Sequence, residues 1–321
     1  MRKRSRRRRN GLVVPTPGAD WGGPAHPTEA DDSVMQVWIV DAFSDRPFTG
    51  NPAGVCLLES STWPGASWMR TVAGELNWET AFVRVLDEAT GRVWGLRWFT
   101  PWAEANLCGH ATLATAHVLH GARLLDGPFR FHSPAGLLVA DALEDGCIRL
   151  DFPAAVVTEV ALPRGLSEAL GRQPVSAFRT GTLGDLLVTV EEDTDVLEAR
   201  PNSGATVDLC RRESVRGVVI TAPAQRSNCA YDFVSRYFAP GNGGLYEDAV
   251  TGSAHTALAP YWARQLGRKV LTGLQASARA GSVHTELHGD RVYLTGFAVT
   301  TMEGVMTCPG LSSTWLVEPH D

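Results

Sequence analysis

The sequence has few cysteines, and none are spaced as metal ligands. Cys56, Cys108, Cys147, Cys210, Cys229 and Cys308 are scattered through 321 residues without a CxxC pair, which argues against a zinc ribbon or dithiol redox centre. With no secretory signal in view, a reducing, cytoplasmic setting and no metal or other cofactor are expected. His284 and His288 would share one face of a strand, but no third ligand stands near, so a surface strand is the expectation. No stretch approaches the roughly 20 apolar residues that span a bilayer, so no membrane association is expected. A net positive charge is confined to the start of the chain. The formal net charge is −6 and the first 34 residues are themselves net basic, so the remainder is more acidic than the total. Such a body argues against nucleic acid as a partner.

The opening run Met1-Arg2-Lys3-Arg4-Ser5-Arg6-Arg7-Arg8-Arg9 has no apolar segment behind it. Pro15, Pro17, Gly18, Gly22, Gly23, Pro24 and Pro27 come next and lead into an acidic patch, the composition of a disordered tail and not of a cleavable signal. Met35 stands immediately before the first expected strand. Residues 1–34 are therefore expected to be either a disordered tail or an untranslated extension. The rest, in a chain with 44% hydrophobic residues and 10 Trp, can fill two cores. Two halves are expected, at 35–153 and 154–321, with the final strand a candidate to return to the first.

What the sequence does contain is one phrase written twice. Arg97-Trp98-Phe99-Thr100-Pro101 leads to Glu104-Ala105-Asn106-Leu107-Cys108-Gly109-His110-Ala111. Arg236-Tyr237-Phe238-Ala239-Pro240 leads to Glu247-Asp248-Ala249-Val250-Thr251-Gly252-Ser253-Ala254. In each copy a β-branched and aromatic run ends at Pro, a small-residue loop comes after it, and an Ala-rich helix begins at or just after the Gly. A helix N-terminus offers unpaired N–H groups and a positive dipole end, hence a cradle for a carboxylate or phosphate. Two such cradles imply a small anionic ligand between related halves.

Strands are predicted at Gln36–Phe43, Ala53–Leu58, Thr80–Leu86, Arg92–Phe99, Gly136–Leu143 and Cys147–Phe152. In the second half they are predicted at Gly217–Thr221, Tyr231–Phe238, Ser282–His288, Arg291–Thr295 and Ser313–Glu318. Trp68, Met69, Val72, Ala73 and Leu76 form a helical stripe with Ser67 as its N-cap. His110–His120 is apolar nearly all round and stops at Gly121, the pattern of a buried helix, and a matching helix is expected from about Gly252 to Leu266. Pro153 to about Asn202 is the least periodic stretch and is expected to hold the crossover. The class is α+β, with antiparallel sheets each wrapped on one helix.

Several spaced phrases carry a resemblance over about Gln36–Met306. Asp41-Ala42-Phe43, Gly50-Asn51-Pro52-Ala53-Gly54-Val55, Glu79-Thr80-Ala81-Phe82, Phe99-Thr100-Pro101, Cys108-Gly109-His110-Ala111-Thr112-Leu113-Ala114 and Glu247-Asp248-Ala249-Val250-Thr251-Gly252-Ser253-Ala254-His255 resemble the PhzF-like phenazine biosynthesis family. The resemblance implies a diaminopimelate epimerase-like fold of two pseudo-symmetric halves, each a barrel-like, mostly antiparallel sheet around a central helix, with the site in the cleft. It also implies a homodimer and an isomerase that works without a cofactor, as on trans-2,3-dihydro-3-hydroxyanthranilate.

By that resemblance Glu79 moves the proton, which calls for a dry pocket that raises its carboxyl toward neutrality. His110 is a second catalytic group, and Asp248 is the carboxylate that orients the substrate. Gly109, Gly252, Ser253 and Asn51 are expected to bind the substrate, with Gly allowing close backbone approach and the Ser hydroxyl adding a donor. Cys108 is read as a small pocket-lining residue. The echo sets Thr251 opposite Cys108, so two-thiol racemisation lacks its second thiol. Amino-acid epimerisation and simple ligand binding remain as alternatives. Glu75-Leu76-Asn77-Trp78-Glu79-Thr80 is one residue shorter than the run usual in the family. A one-residue change at a helix end rotates the chain beyond it by about 100°, so the aim of Glu79 rests on how that helix stops.

Overall fold

The computed structural model describes residues 34–60, 62–86, 93–122, 128–225, 230–241 and 243–307. Residues 1–33, and with them nearly all of the expected tail, lie outside that range, as does the expected strand Ser313–Glu318. The first half opens with β1 (Val34–Ala42), antiparallel to β2 (Asn51–Leu57). Helix α1 (Ala66–Leu76) then carries the chain over, so β3 (Thr80–Val85) lies parallel to β2, the pairing that a helical crossover permits and a tight turn does not. β4 (Val93–Phe99) pairs antiparallel with β3 and with the short β5 (Glu104–Ala105). Helix α2 (Gly109–Gly121) leads to β6 (Phe129–Ser133), parallel to β4, and β7 (Gly136–Ala142) and β8 (Ile148–Pro153) complete an antiparallel meander.

The second half repeats this order. After β9 (Thr158–Val160) and α3 (Leu166–Leu170), β10 (Ser176–Arg179) pairs antiparallel with β11 (Leu186–Thr189). Helices α4 (Asp193–Leu197) and α5 (Ser203–Glu213) cross to β12 (Val218–Pro223), parallel to β11. β13 (Phe233–Gly241) and β14 (Gly244–Asp248) come next, antiparallel. Helix α6 (Gly252–Leu266) brings β15 (Val270–Gln275) parallel to β13, and β16 (Gly281–His288) and β17 (Arg291–Gly296) close the series. Each half then takes a strand from beyond the other. β9 comes after β8 and pairs with β10, whereas β18 (Ala298–Thr307) comes after β17 and pairs with β1. β8 against β17 joins the halves, which places all 18 strands of the described residues in one continuous ladder.

The echoed phrases occupy equivalent places. Arg97 grips Glu104 across β4 and β5 with two bonds of 2.7 and 2.6 Å, and Arg236 grips Glu247 across β13 and β14 with two of 2.6 and 3.0 Å. Each pair holds shut the hairpin that precedes a central helix.

Helix α2 can lie inside its sheet because its threonine hydroxyls are satisfied within the helix. Thr112 and Thr115 turn their hydroxyls back onto the carbonyls of Cys108 and Ala111, both at 2.7 Å, so α2 meets Leu96, Phe129, Phe131 and Leu150 as an apolar rod. Pro260 interrupts α6 and frees the carbonyl of Thr256. The amide of Ala155, on the segment leaving β8, takes that carbonyl at 3.0 Å.

Two expectations are corrected. Helix α1 begins at Ala66, after Gly65, and no side chain caps it. Ser67 therefore lies inside the first turn, whose end is exposed to water and whose amides can be solvated there. The stretch 153–202 is also no mere crossover, since it carries β9, β10 and β11 of the second sheet. Strands of three or four residues are too short for alternation to register in sequence.

Candidate active site

The two central helices meet end to end. A Cβ built on Gly109 would stand 3.3 Å from Cα of Gly252, and one on Gly252 would stand 3.2 Å from Cα of Gly109. Only glycine lets the backbones of these first helical turns come so close. Cys108 and Thr251 precede them as equivalent extended N-cap residues, neither with a side-chain cap. The first amides of both helices thus lack in-helix partners on the same side of the molecule.

Around this junction a hydrogen-bonded chain crosses from one half to the other. Asn51, at the start of β2, is buried, and its Nδ2 lies 2.8 Å from Asp248 Oδ1, 2.8 Å from the carbonyl of Val250 and 3.2 Å from His110 Nδ1. A carboxylate and a carbonyl only accept, which fixes this Asn51 atom as the amide nitrogen. Its two hydrogens point first to the two acceptors at 2.8 Å and His110 Nδ1 shares one of them at most, whereas Nε2 carries a proton because the Glu79 carboxylate beside it only accepts. Nε2 lies 3.2 Å from Glu79 Oε2. The Cys108 thiol donates to the same oxygen at 3.3 Å. Glu79 Oε2 is therefore anchored twice, and Oε1 makes no hydrogen bond to the described residues.

Glu79 reaches this position because α1 stops cleanly. Asn77 turns left-handed at φ 57° and returns its amide to the carbonyl of Ala73, and the Glu79 carbonyl is then held by the amide of Gly54 at 3.0 Å. The left-handed turn at Asn77 thus sets the direction in which the chain enters β3. Asp248 sits opposite, with Oδ1 taken by Asn51 and Oδ2 by the hydroxyl of Thr251 at 2.6 Å. Gln275 locks this corner by accepting from the Thr251 amide and donating to the carbonyl of Asp248.

The cleft has two lobes that share Glu79, His110, Tyr246 and Asp248. One, of about 680 Å³, is bordered by Trp78, Trp102 and Arg279. The other, of about 630 Å³, is bordered by Gly109, Gly252, Ser253, Arg216 and Tyr237. All seven residues expected at the site therefore line this one cleft. The pocket is not dry as it stands, for 41% of the Glu79 side chain is exposed where the cleft opens toward Trp78 and Trp102. Tyr246 is half exposed between the lobes, and partial desolvation with the nearby charges of Asp248 and Glu79 holds its phenol above the ordinary range, so at neutral pH it is a hydroxyl donor.

This arrangement has known counterparts. Residues 40–304 match the model of the phenazine biosynthesis-like protein family. The chain belongs to that family. An uncharacterized isomerase of Pseudomonas aeruginosa is 44% identical over 269 residues, which cover 83% of this chain and 95% of that one. A phenazine biosynthesis-like domain-containing protein of the mouse is 38% identical over 293 residues, which cover 85% and 99%. A crystal structure of a PhzF-family protein from Enterococcus faecalis superposes with a TM-score of 0.75 at 34% identity, covering 85% of this chain and 98% of that one. The architecture is the α+β, diaminopimelate epimerase-like fold of this family.

In this member of the phenazine biosynthesis-like family, Cys108 contributes more than bulk. Burial, with the Glu79 charge beside it, pushes the thiol well above its ordinary range, so it stays S–H and helps to aim the carboxylate. Its sulfur, His110 and Glu79 place three ligand atoms within 4.8 Å of one another, a set that could hold a soft divalent ion once the thiol lost its proton. Sequence reasoning passed over Gln275 as a site residue, and over Asp185, Arg216 and Tyr237. These last three come from separate strands or strand ends. No local spacing marks them, because the parallel pairing of β11 with β12 and the antiparallel pairing of β12 with β13 bring them together. No helix among the described residues is long and apolar enough to cross a membrane.

Proposed function

We propose that the chain is a cofactor-independent isomerase that moves a proton within a small, carboxylated, unsaturated metabolite, as the trans-2,3-dihydro-3-hydroxyanthranilate isomerase of phenazine biosynthesis does. The observation that carries this is the chain Glu79–His110–Asn51–Asp248, which spans both halves beside two abutting helix N-termini. Glu79 Oε1 takes the proton from a substrate carbon and returns it to another, while Oε2 is held by His110 and Cys108. Asp248 orients the substrate from the opposite half, and Ser253 with the first amides of α6 receives its carboxylate. A substrate that fills the cleft displaces water from the exposed side of Glu79.

Epimerisation with Glu79 and Cys108 as the two opposed bases fits less well. Cys108 and Glu79 are hydrogen-bonded neighbours and not bases on opposite faces of a ligand, and Cys108 is held as the thiol.

The test is proton NMR in D₂O with trans-2,3-dihydro-3-hydroxyanthranilate, comparing the protein with Glu79→Gln. Conversion with solvent deuterium entering a ring carbon is expected, and removal of the general base should slow it by about 10²–10⁴-fold. Equal rates for the two proteins would overturn the reading.

A further inference from the structure

The second lobe contains a cation that the proton-transfer chemistry above leaves unused. Arg216 lies just before β12 and is the only Arg or Lys among the described residues bordering that lobe. Its Nε and Nη2 bind both oxygens of Asp185 at 3.0 and 2.7 Å, and the Asp185 side chain has no exposure at all. Tyr237 donates to the same carboxylate at 2.9 Å, and the guanidinium lies 5.7 Å from the centre of the Tyr237 ring. Nη2 also donates to Ser253 Oγ at 3.0 Å.

A planar guanidinium gripped on one edge by a buried carboxylate cannot swing away. Its other edge is open, since 45% of the Arg216 side chain is exposed and the bonds to Asp185 and Ser253 leave Nη1 unused. Because Ser253 accepts from Arg216, its own hydroxyl proton is free to be donated to a ligand. The other charged residues bordering the lobe, Glu79 and Asp248, repel an anion. An anionic group is therefore drawn to the end of the lobe where Arg216 and Ser253 stand.

We propose that Arg216 is a substrate-binding, specificity-determining residue that receives a carboxylate together with Ser253 and selects acids over their neutral amides, with Asp185 and Tyr237 positioning it. This rests on the reading of the cleft as the substrate site of an isomerase. It extends that reading from a cradle of amides and a hydroxyl to one with a fixed positive charge.

The experiment is a calorimetric titration of the full chain with benzoate and with benzamide, its neutral counterpart. The unaltered protein is expected to bind benzoate saturably and at least about tenfold tighter than benzamide. Arg216→Gln should weaken benzoate by about tenfold or more and leave benzamide within about twofold, the loss expected for one charged hydrogen-bonding group. Arg216→Lys should fall between. If removing the guanidinium alone unfolds the chain around a bare Asp185, the pair Asp185→Asn/Arg216→Gln removes both charges and should show the same loss of preference. The proposal is overturned if benzoate shows no saturable binding into the tens of millimolar, if it binds no better than benzamide, or if the preference survives in the Gln variants. Glu79→Gln separates the two ideas. It should slow isomerisation by the same about 10²–10⁴-fold and keep the benzoate preference, so that either reading can fail while the other stands.

Discussion

The abutting glycines of α2 and α6 make a sensitive point of the cleft. In Gly252→Ala the new Cβ would meet Cα of Gly109 at 3.2 Å, its carbonyl carbon at 3.5 Å and the amide nitrogen of His110 at 3.6 Å. Carbon atoms pack best at about 3.5–4.0 Å, so the first contact is short by about half an ångström. Its partners are backbone atoms of α2 and cannot rotate aside. Relief requires the two helix ends, and with them the two halves, to separate by a few tenths of an ångström. Overpacking of this kind costs about 1–3 kcal/mol, against which Ala gains up to about 1 kcal/mol over Gly inside a helix. The net loss is about 0–3 kcal/mol, or a fall in Tm of a few degrees for a chain of this size.

Catalysis should suffer more than stability. The link from Asn51 to His110 is already 3.2 Å, and misplacing a catalytic group by 1 Å costs about 10²-fold. A separation of a few tenths should therefore lower turnover by about tenfold. Gly74→Ala is the control. Its Cβ would stand 3.9 Å from Pro101 within α1, so stability should rise by up to about 1 kcal/mol with activity unchanged. Thermal melts and initial rates measure both. Full activity in Gly252→Ala, with Tm unchanged, would refute the argument that the glycine contact sets the geometry of the cleft.

Other groups in and around the site give further expected outcomes. His255 is fully buried, and desolvation lowers it to about 4. The unfolded chain then binds the extra proton between about pH 6.5 and 4, so stability is lost as pH falls through that window, by about 3 kcal/mol in all. Urea titrations at pH 7 and 4.5 should show this loss, and His255→Gln should lessen it. Cys108 shifts the other way. Its folded form keeps the proton above the ordinary thiol range, so stability contributed by the thiol declines as pH rises past about 9, and alkylation by iodoacetamide at pH 7 should be slow. Rapid labelling of Cys108 at pH 7 in the folded protein would contradict this. Cys108→Ala should retain activity within about tenfold, since one weak S–H donor to Glu79 is lost while the His110 bond remains.

Much of this molecule was legible in the chain. The repeated Arg–aromatic–Phe–Xaa–Pro phrase marked two related hairpins, and the structure gives both the same Arg–carboxylate clasp, Arg97–Glu104 and Arg236–Glu247. The small-residue loops marked two helix starts, because Gly, Ala and Thr allow close approach and an apolar rod needs no polar face. Patterns of this kind survive in sequence because they are local, set by side-chain period, size and cap geometry within a few residues. The short strands of the stretch 153–202 escaped because three or four residues give alternation too little length.

Relations between distant residues belong to the tertiary structure alone. Asn51 and Asp248 are 197 positions apart and share a hydrogen bond of 2.8 Å. Arg216 and Ser253 meet only because strand pairing stacks Asp185 beside them. The sequence determined which residue types and helix starts were available, since those depend on neighbours along the chain. The fold decided which oxygen of Glu79 is anchored, which nitrogen of His110 holds the proton and where the Arg216 guanidinium stands in the second lobe. Each of these depends on partners brought in from the other half or from distant strands.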